Sequence, residues 1–478
     1  MVSWLVVFPA RGDIAEIRES LRRGQLPSAL AACERELAAH PDDYQALTLK
    51  GIALQLSGRP AEGLVPLRKA IRLQPHYLPA LETAGQIEYQ TGDPNCKDTL
   101  RKILAVQPKN AVAHAMLGVI AVERRECAGA VKEFTAAGPT VNENPITLWQ
   151  YGYCLFQIHR AGDAAAAFER LLKVRENDAV RFNLGLAQQE ARQYTAAAQT
   201  LEPLATRPVP DSDALNLLAA AYEGSGNTPD STLTLRRAID LYPREEKHYL
   251  DLASVCMEHS ALELGVEILE IGARNIPRSA GIHAVLGGFY IRVGRTAKAE
   301  QEFREAETLA PETGFGSVGL GLALLQANDI DGSIAHLRQQ YQRDKNNPKL
   351  NYLLASALLQ KGAQPGQPDF AEIPELLKRS VARQPRDATA HALLGKVYGL
   401  QSEWPSAIRE LEVALKLNPN DRTAVYQLML AYGNMGQADK AKALQPRVRE
   451  LLDAEHAQEN EKSRYRLLRA APDRRPQP

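Results

Sequence analysis

The chain has 478 residues, of which 45% are apolar and 24% charged, and its 57 basic side chains equal its 57 acidic ones. This composition is that of a folded protein and excludes disorder for most of the chain, and the balanced charge gives no attraction for nucleic acid or an anionic membrane surface. No C-x-x-C pair is present, so the sequence predicts neither a disulfide framework nor a zinc site. The five cysteines are Cys33, Cys96, Cys127, Cys154 and Cys256. Most of them are expected to be small buried helix residues.

The first segment, residues 1–12, contains a short apolar run from Val2 to Phe8 with no basic residue before it. The run is too short to span a bilayer, and it lacks the charged beginning of a signal peptide. Two interpretations remain open. The segment is either the remnant of a longer export signal or a frayed or capping end of the fold.

From residue 13 onward, prolines recur at a nearly constant interval. The steps from Pro41 to Pro75, Pro243 to Pro277, Pro277 to Pro311 and Pro385 to Pro419 are each 34 residues. Each proline follows an apolar pattern of helical period, and a Leu-Gly or Leu-Ala pair lies between successive prolines. About twelve units of this length account for residues 13–450 and leave no room for a separate catalytic domain.

Each unit is predicted to be a pair of antiparallel helices. A lone helix of this length is marginal in water, so each pair must bury its apolar stripe against its neighbours. The small residue of the Leu-Gly pair permits close approach of the second helix. Glycines such as Gly58, Gly92, Gly294, Gly362 and Gly436 are expected to end the first helix in the left-handed conformation. The predicted N-caps are Asp43, Asn110, Asp387 and Asp421.

The period changes toward the C-terminus. The steps from Pro311 to Pro348 and from Pro348 to Pro385 are 37 residues, and in the second an exposed loop is predicted from Lys361 to Phe370. From Ala438 to about residue 469 one continuous helical pattern follows, and we expect residues 451–469 to cap the array. Residues 470–478 are predicted to be a disordered tail.

Two segments carry a recognisable signature. Residues 280–311 place Leu286, Gly287 and Tyr290 on one helix, and Ala299, Phe303 and Ala306 on the next, before Pro311. A second copy has Leu394, Gly395, Tyr398, Ala407, Leu411, Ala414 and Pro419. In order and spacing both resemble the tetratricopeptide repeat. The resemblance implies an all-α fold, a right-handed superhelical solenoid of antiparallel helix pairs, whose concave face is built from the first helices and binds protein segments.

The resemblance also implies which positions face the groove. When the Leu-Gly pair is counted as positions 7 and 8, positions 2, 5, 9, 12 and 13 look inward. In the unit that begins at Pro145 these positions hold the residues that we predict to bind a partner, Trp149, Tyr153, Phe156 and Gln157, and the next unit adds Phe182, Gln189 and Glu190. Tryptophan and tyrosine are frequent binding hot spots. The alternative is that these rings pack between neighbouring helices, with Trp149 one position out of register.

The sequence contains no arrangement of residues typical of an enzyme. There is no Gly-rich phosphate loop, no H-E-x-x-H and no G-x-S-x-G, so no catalytic residue, cofactor or metal is predicted. Cys256 and His259 lie three residues apart on one helix, but they have no third partner. Ordinary packing of Cys256 is the expectation.

The preferred interpretation is a non-catalytic scaffold or adaptor for protein or peptide partners, in the cytoplasm, with no nucleic-acid partner and no stable membrane span. One alternative is an accessory subunit of a bacterial envelope machine for polysaccharide export or secretion. That role requires a periplasmic or secreted location and a true start upstream of Met1. A further alternative is the regulatory arm of an enzyme complex.

Overall fold

The computed structural model describes the backbone of residues 12–469 and side chains from residue 14 to residue 454. The chain divides into two compact units, Met1–Thr234 and Leu235–Pro478, with the division inside one helix, α14. The helices of the first unit are α1 (Gly12–Arg22), α2 (Leu26–Ala39), α3 (Tyr44–Leu56), α4 (Pro60–Leu73), α5 (Leu78–Thr91), α6 (Cys96–Val106), α7 (Ala111–Glu123), α8 (Cys127–Ala137), α9 (Pro145–Gln157), α10 (Ala161–Val174), α11 (Asp178–Glu190), α12 (Tyr194–Ala205), α13 (Ser212–Gly224) and the start of α14 (Thr228–Leu241).

The second unit holds the end of α14 and all later helices. These are α15 (Glu246–Glu258), α16 (Leu262–Asn275), α17 (Ala280–Arg292), α18 (Thr296–Leu309), α19 (Phe315–Gln326), α20 (Ile330–Arg343), α21 (Pro348–Gln360), α22 (Pro368–Ala371), α23 (Ile373–Arg383), α24 (Ala388–Leu400), α25 (Trp404–Leu417), α26 (Arg422–Asn434) and α27 (Ala438–Arg469). Short 3-10 helices precede α9 (Gly138–Glu143) and α19 (Pro311–Thr313).

The prediction of an all-α fold is confirmed, since residues 12–469 contain helices and no strand. Within each unit consecutive helices pack as pairs. We call the first helix of a pair helix A and the second helix B. Successive helices A also contact each other, as in α7 with α9, and α17 with α19. Within a unit, a helix B such as α8 or α18 contacts the helices A before and after it, so the neighbouring pairs bury its apolar stripe.

The small residue at position 8 lets the two helices of a pair approach closely. A Cβ atom on Gly118 would lie 2.5 Å from the ring of Phe134, and one on Gly287 would lie 2.8 Å from Phe303. In both pairs the partner lies 16 residues later, on helix B. The same spacing joins Gly51 to Leu67, Gly152 to Phe168, Gly185 to Leu201, Gly321 to Leu337 and Gly395 to Leu411. This contact fixes the register of each pair.

The predicted helix ends are confirmed. The side chain of Asp43 accepts hydrogen bonds from the backbone amides of Gln45 and Ala46, at 2.8 and 3.0 Å. The other predicted N-caps, Asn110, Asp387 and Asp421, accept from backbone amides in the same way. The five glycines expected to be left-handed have φ between 69° and 99°. These interactions lie within one turn of each helix end, so the local sequence suffices to specify them.

The loop prediction is only partly right. Most of residues 361–369 are exposed, but the segment closes with the short helix α22, and its Phe370 is only 2% exposed in the core between α21 and α23. The insertion is therefore anchored by one buried ring. At the C-terminal end, α27 is continuous from Ala438 to Arg469, as the helical pattern indicates. The expectations for the start of segment 1–12 and for tail 470–478 lie outside the described residues.

The expectation that the cysteines form no disulfide is wrong. Cys127, at the start of α8, is bonded to Cys154 in α9, with their Cα atoms 4.8 Å apart. The two residues are 27 positions apart in sequence, so only the packing of helix B against the next helix A brings them together. The remaining three cysteines, Cys33, Cys96 and Cys256, are buried as predicted.

Candidate partner-binding face

The candidate site is built on α9. Asn144 caps this helix by accepting a hydrogen bond from the amide of Ile146, at 2.9 Å, and Pro145 occupies its first turn. Gly152 faces Phe168 of α10, and a Cβ atom there would lie 3.0 Å from the ring. Leu148 is buried, with 1% of its surface exposed. The side of α9 that faces α10 is therefore fixed, and its opposite side is available to solvent.

Trp149 and Tyr153 occupy that solvent-facing side. They are one helical turn apart, 37% and 40% exposed, and their rings stack with centroids 5.4 Å apart and planes within 6° of parallel. The register of α9 is the one predicted from Gly152, because Leu148 and not Trp149 fills the buried position. The structure thus brings two of the predicted side chains together as an exposed aromatic pair.

The other predicted residues are not part of the stacked pair. Phe156 is half-buried and packs against the hydrophobic core of α8 to α11, while Gln157 next to it is exposed. Phe182 is half-buried on α11, and Glu190 is exposed at the end of that helix. Phe156 therefore serves the core at least in part.

Two apolar residues that sequence reasoning did not select extend the exposed face. Ile146 is 66% exposed at position 2 of α9, one turn before Trp149. Val112, at the same position of α7, is 54% exposed, and α7 contacts α9. Position 2 is one of the positions that the resemblance places in the groove, so reading it in each unit would have found both. α9 carries no charged side chain, and Gln157 adds one polar side chain to its exposed face.

The disulfide lies directly behind the aromatic pair. Cys154 follows Tyr153 in sequence and is fully buried, and its bond to Cys127 ties α9 to α8. The loop that closes includes the 3-10 helix Gly138–Glu143. The helix that presents the aromatic pair is therefore held to its neighbour by a covalent bond as well as by packing.

Cys256 is a buried free thiol, in line with the expected packing. Cys256 is only 3% exposed, and burial raises the pKa of its thiol, so it stays protonated near neutral pH. His259 lies at the C-terminal cap of α15. Among the side chains that the structure describes, no group of three or more histidine, cysteine or acidic residues is placed to hold a metal ion. None of the described helices combines the length and apolarity that a membrane crossing needs.

Comparison with known proteins finds a family profile that matches several of the helix pairs. The profile of the tetratricopeptide repeat matches residues 14–77, 152–212 and 182–246. A relative, cellulose synthase 2 operon protein C of Komagataeibacter xylinus, is 27% identical over 277 residues, which are 52% of this chain and 20% of that protein. The chain therefore matches about a fifth of the length of this relative.

Two solved structures have a similar arrangement of helices. Yeast Tom70 is 15% identical, with a TM-score of 0.43 over 90% of this chain and 97% of that one. The structure of the APC/C hetero-tetramer Cut9–Hcn1 contains a chain that is 13% identical, with a TM-score of 0.40 over 87% of this chain and 95% of that one. These similarities concern the fold alone.

Proposed function

Because the chain is a tetratricopeptide repeat protein, a fold that is typically non-catalytic, we propose that it is a scaffold that binds protein segments through the helix A face of α7 and α9. The observation that carries the proposal is the exposed stacked pair of Trp149 and Tyr153. When a partner covers large rings that are exposed to water, binding becomes more favourable. Tryptophan and tyrosine dominate many interfaces for this reason.

The shape of the apolar surface indicates the kind of segment that would fit. Exposed apolar side chains follow one another along α9 at Ile146, Trp149 and Tyr153, and Val112 lies on the adjacent α7. A partner with two or more hydrophobic anchors, spaced as in an extended strand or along one face of a helix, would cover this row. Because α9 has no charged residue, we expect affinity to depend weakly on salt.

The test compares two variants of the full chain. Trp149→Ala/Tyr153→Ala removes the aromatic pair, and the control Tyr426→Ala/Leu430→Ala removes the exposed pair at the same positions of α26, where the side chains are 42% and 38% exposed. Partners are captured from the source cells, and the affinity of a purified partner segment is then measured by titration calorimetry. We expect the first variant to lose about tenfold or more in affinity and the control to bind normally. Equal binding by all three proteins would overturn the proposal.

A second candidate function is that of an accessory subunit of a bacterial envelope machine, and the disulfide between Cys127 and Cys154 favours it. Disulfides persist in oxidising compartments and are rare in the cytosol. The name of the Komagataeibacter xylinus relative connects that protein with a cellulose synthase operon. Location in the periplasm or outside the cell would follow, in place of the cytoplasmic location expected from the sequence.

The redox state in the cell tests this second candidate. Source cells are quenched in acid, and free thiols are alkylated before the protein is isolated and its mass measured. An exported protein would carry three alkylated cysteines, since Cys127 and Cys154 are protected by their bond. Five alkylated cysteines in freshly quenched cells would mean that the chain resides in a reducing compartment and would reject the envelope role.

A further inference from the structure

Three histidines on helices A make the same two contacts. In each, Nδ1 lies 2.6 Å from a carboxylate oxygen of a glutamate 19 residues later, on helix B of the same pair. Nε2 lies 3.0 to 3.2 Å from the backbone oxygen of the proline six residues earlier. The three sets are His114 with Glu133 and Pro108, His283 with Glu302 and Pro277, and His391 with Glu410 and Pro385.

Each ring nitrogen of these histidines therefore faces an oxygen. The proline carbonyl can only accept a hydrogen bond, and so can the carboxylate while the glutamate is ionised. Neutral imidazole has one N–H, whereas imidazolium has two. In the neutral ring one nitrogen lone pair would point at a carboxylate or at a carbonyl, and one hydrogen bond would be lost. The geometry is complete only when each histidine–glutamate pair holds one additional proton.

Each contact joins three parts of the chain. The proline ends the preceding pair, the histidine lies on helix A, and the glutamate lies on helix B. The histidine side chains are 14%, 11% and 10% exposed in chain order, so water replaces the lost hydrogen bond poorly. Loss of the proton would weaken the connection between one helix pair and the next.

The charges around the second histidine agree with this geometry. The hydrogen bond to Glu302 raises the pKa of His283, the Pro277 carbonyl and the charge of Glu305 on α18 add to the effect, and partial burial opposes it. Tyr290, on the same helix as His283, also faces Glu302. A histidine pKa raised by folding contributes stability fully below the ordinary value, about 6.5. That stability is lost as pH rises through the raised value.

We propose that the contact of His283 with Glu302 and Pro277 is a proton-dependent clasp, which tightens the joint between its helix pair and the preceding one in mildly acidic solution and releases it as the solution becomes alkaline. The clasp makes the rigidity of the joint at residues 277–283 a function of pH.

The chain contains its own non-titrating version of the clasp. Asn351 occupies the same position of α21, and its side-chain amide donates to the backbone oxygen of Lys345, six residues earlier, at 3.1 Å. The residue 19 positions after Asn351 is Phe370, which is not ionisable. This joint keeps the contact to the preceding turn without a proton that can leave near neutral pH, so it serves as an internal control.

Hydrogen exchange measured by mass spectrometry tests the proposal. At about pH 6 and about pH 8, the opening equilibrium of peptides that contain His283 is compared with that of peptides that contain Asn351, after correction for intrinsic exchange. We expect opening at the clasp to increase severalfold at the higher pH, with a limit of about tenfold per pH unit for one proton. Opening around Asn351 should stay constant.

The variant Glu302→Gln tests whether the additional proton causes the pH dependence. A glutamine amide can donate to Nδ1 of neutral His283 while Nε2–H still donates to the Pro277 carbonyl. This variant should keep its protection at both pH values and lose the pH dependence at the His283 joint, while exchange at the Asn351 joint stays as it is in the unmodified chain. His283→Asn, which copies the natural asparagine at position 351, should behave in the same way. The proposal would be overturned if exchange at the His283 joint still depended on pH after both substitutions. It would also be overturned if, in the unmodified chain, peptides with His283 and peptides with Asn351 showed the same pH dependence of opening.

Discussion

The ring of Trp149 lies parallel to the ring of Tyr153 on the solvent-facing side of α9, with the centroids 5.4 Å apart. The residue that precedes the tryptophan, Leu148, is 1% exposed on the opposite side. Two neighbouring side chains of one helix therefore have different surroundings. The consequences of truncating them should differ accordingly.

The first prediction separates binding from packing on α9. Tyr153→Ala removes a ring that is 40% exposed, so we expect it to cost about 1 kcal/mol of unfolding free energy, mostly the stacking contact. Leu148→Ala leaves a cavity and should cost about 2–5 kcal/mol. Urea unfolding followed by circular dichroism measures both. A cost for Tyr153→Ala equal to that for Leu148→Ala would identify the ring as core.

The second prediction concerns two adjacent glycines of α17. A Cβ atom on Gly287 would lie 2.8 Å from the ring of Phe303, whereas a Cβ atom on Gly288 would meet no atom within 4 Å. Gly287→Ala should therefore lower the unfolding free energy by about 1–3 kcal/mol, because it overpacks the contact. Gly288→Ala should raise it by up to about 1 kcal/mol, because alanine is the better helix former.

The shift of the urea midpoint in each variant measures the difference. Since both residues lie in the same helix and receive the same side chain, they share the effect on helix propensity. A similar shift for both would show that the close approach of α18 is not what requires glycine at position 287.

The third prediction concerns the bond between Cys127 and Cys154. It closes a loop of 27 residues, and reduction should lower the unfolding free energy by about 3–4 kcal/mol through the larger entropy of the unfolded chain. Stability is measured with and without reductant in the intact chain and in Cys127→Ala/Cys154→Ala. We expect the reductant to destabilise the intact chain and leave the variant unchanged. A Cys96→Ala control should retain the sensitivity, because Cys96 is a free thiol.

The fourth prediction concerns the turn after helix A. Gly294 has φ of 77°, and Ser402, at the end of its own helix A, has φ of 61°. A residue with a Cβ costs about 1–2 kcal/mol in the left-handed conformation, and glycine does not. Ser402→Gly should therefore stabilise the chain by about 1 kcal/mol, and Gly294→Ser should destabilise it by a similar amount.

Thermal unfolding of both variants checks this pair, since the substitutions are reciprocal. Ser402 is exposed, and a Cβ atom on Gly294 would meet no atom within 4 Å, so neither change alters packing. Shifts of the same sign in the two variants would contradict the explanation by backbone conformation.

Much of the fold could be predicted because its determinants are close in sequence. The N-cap of Asp43 acts over three residues, the turn at Gly294 over one, and the contact of Gly287 with Phe303 over 16. A unit of 34 residues contains all of them, and its repetition makes each visible. The exposed face of α9 was predicted in part, since the repeat register placed Trp149 and Tyr153 on its exposed side; that it binds a partner stays a prediction. The half-buried state of Phe156 was not evident, because it depends on the helices on both sides.

What the sequence determined by itself is the set of helix pairs and their register, since short-range contacts and a periodic apolar stripe specify them. Only the tertiary structure decided which distant side chains meet. The bond of Cys127 to Cys154 and the burial of Phe370 arise where one helix pair packs on another, and no interval in the sequence marks either contact. The contacts of the three histidines lie between these cases. His283 and Glu302 are separated by the same 19 residues as the other two pairs, but only folding brings both ring nitrogens against acceptors in a largely buried site.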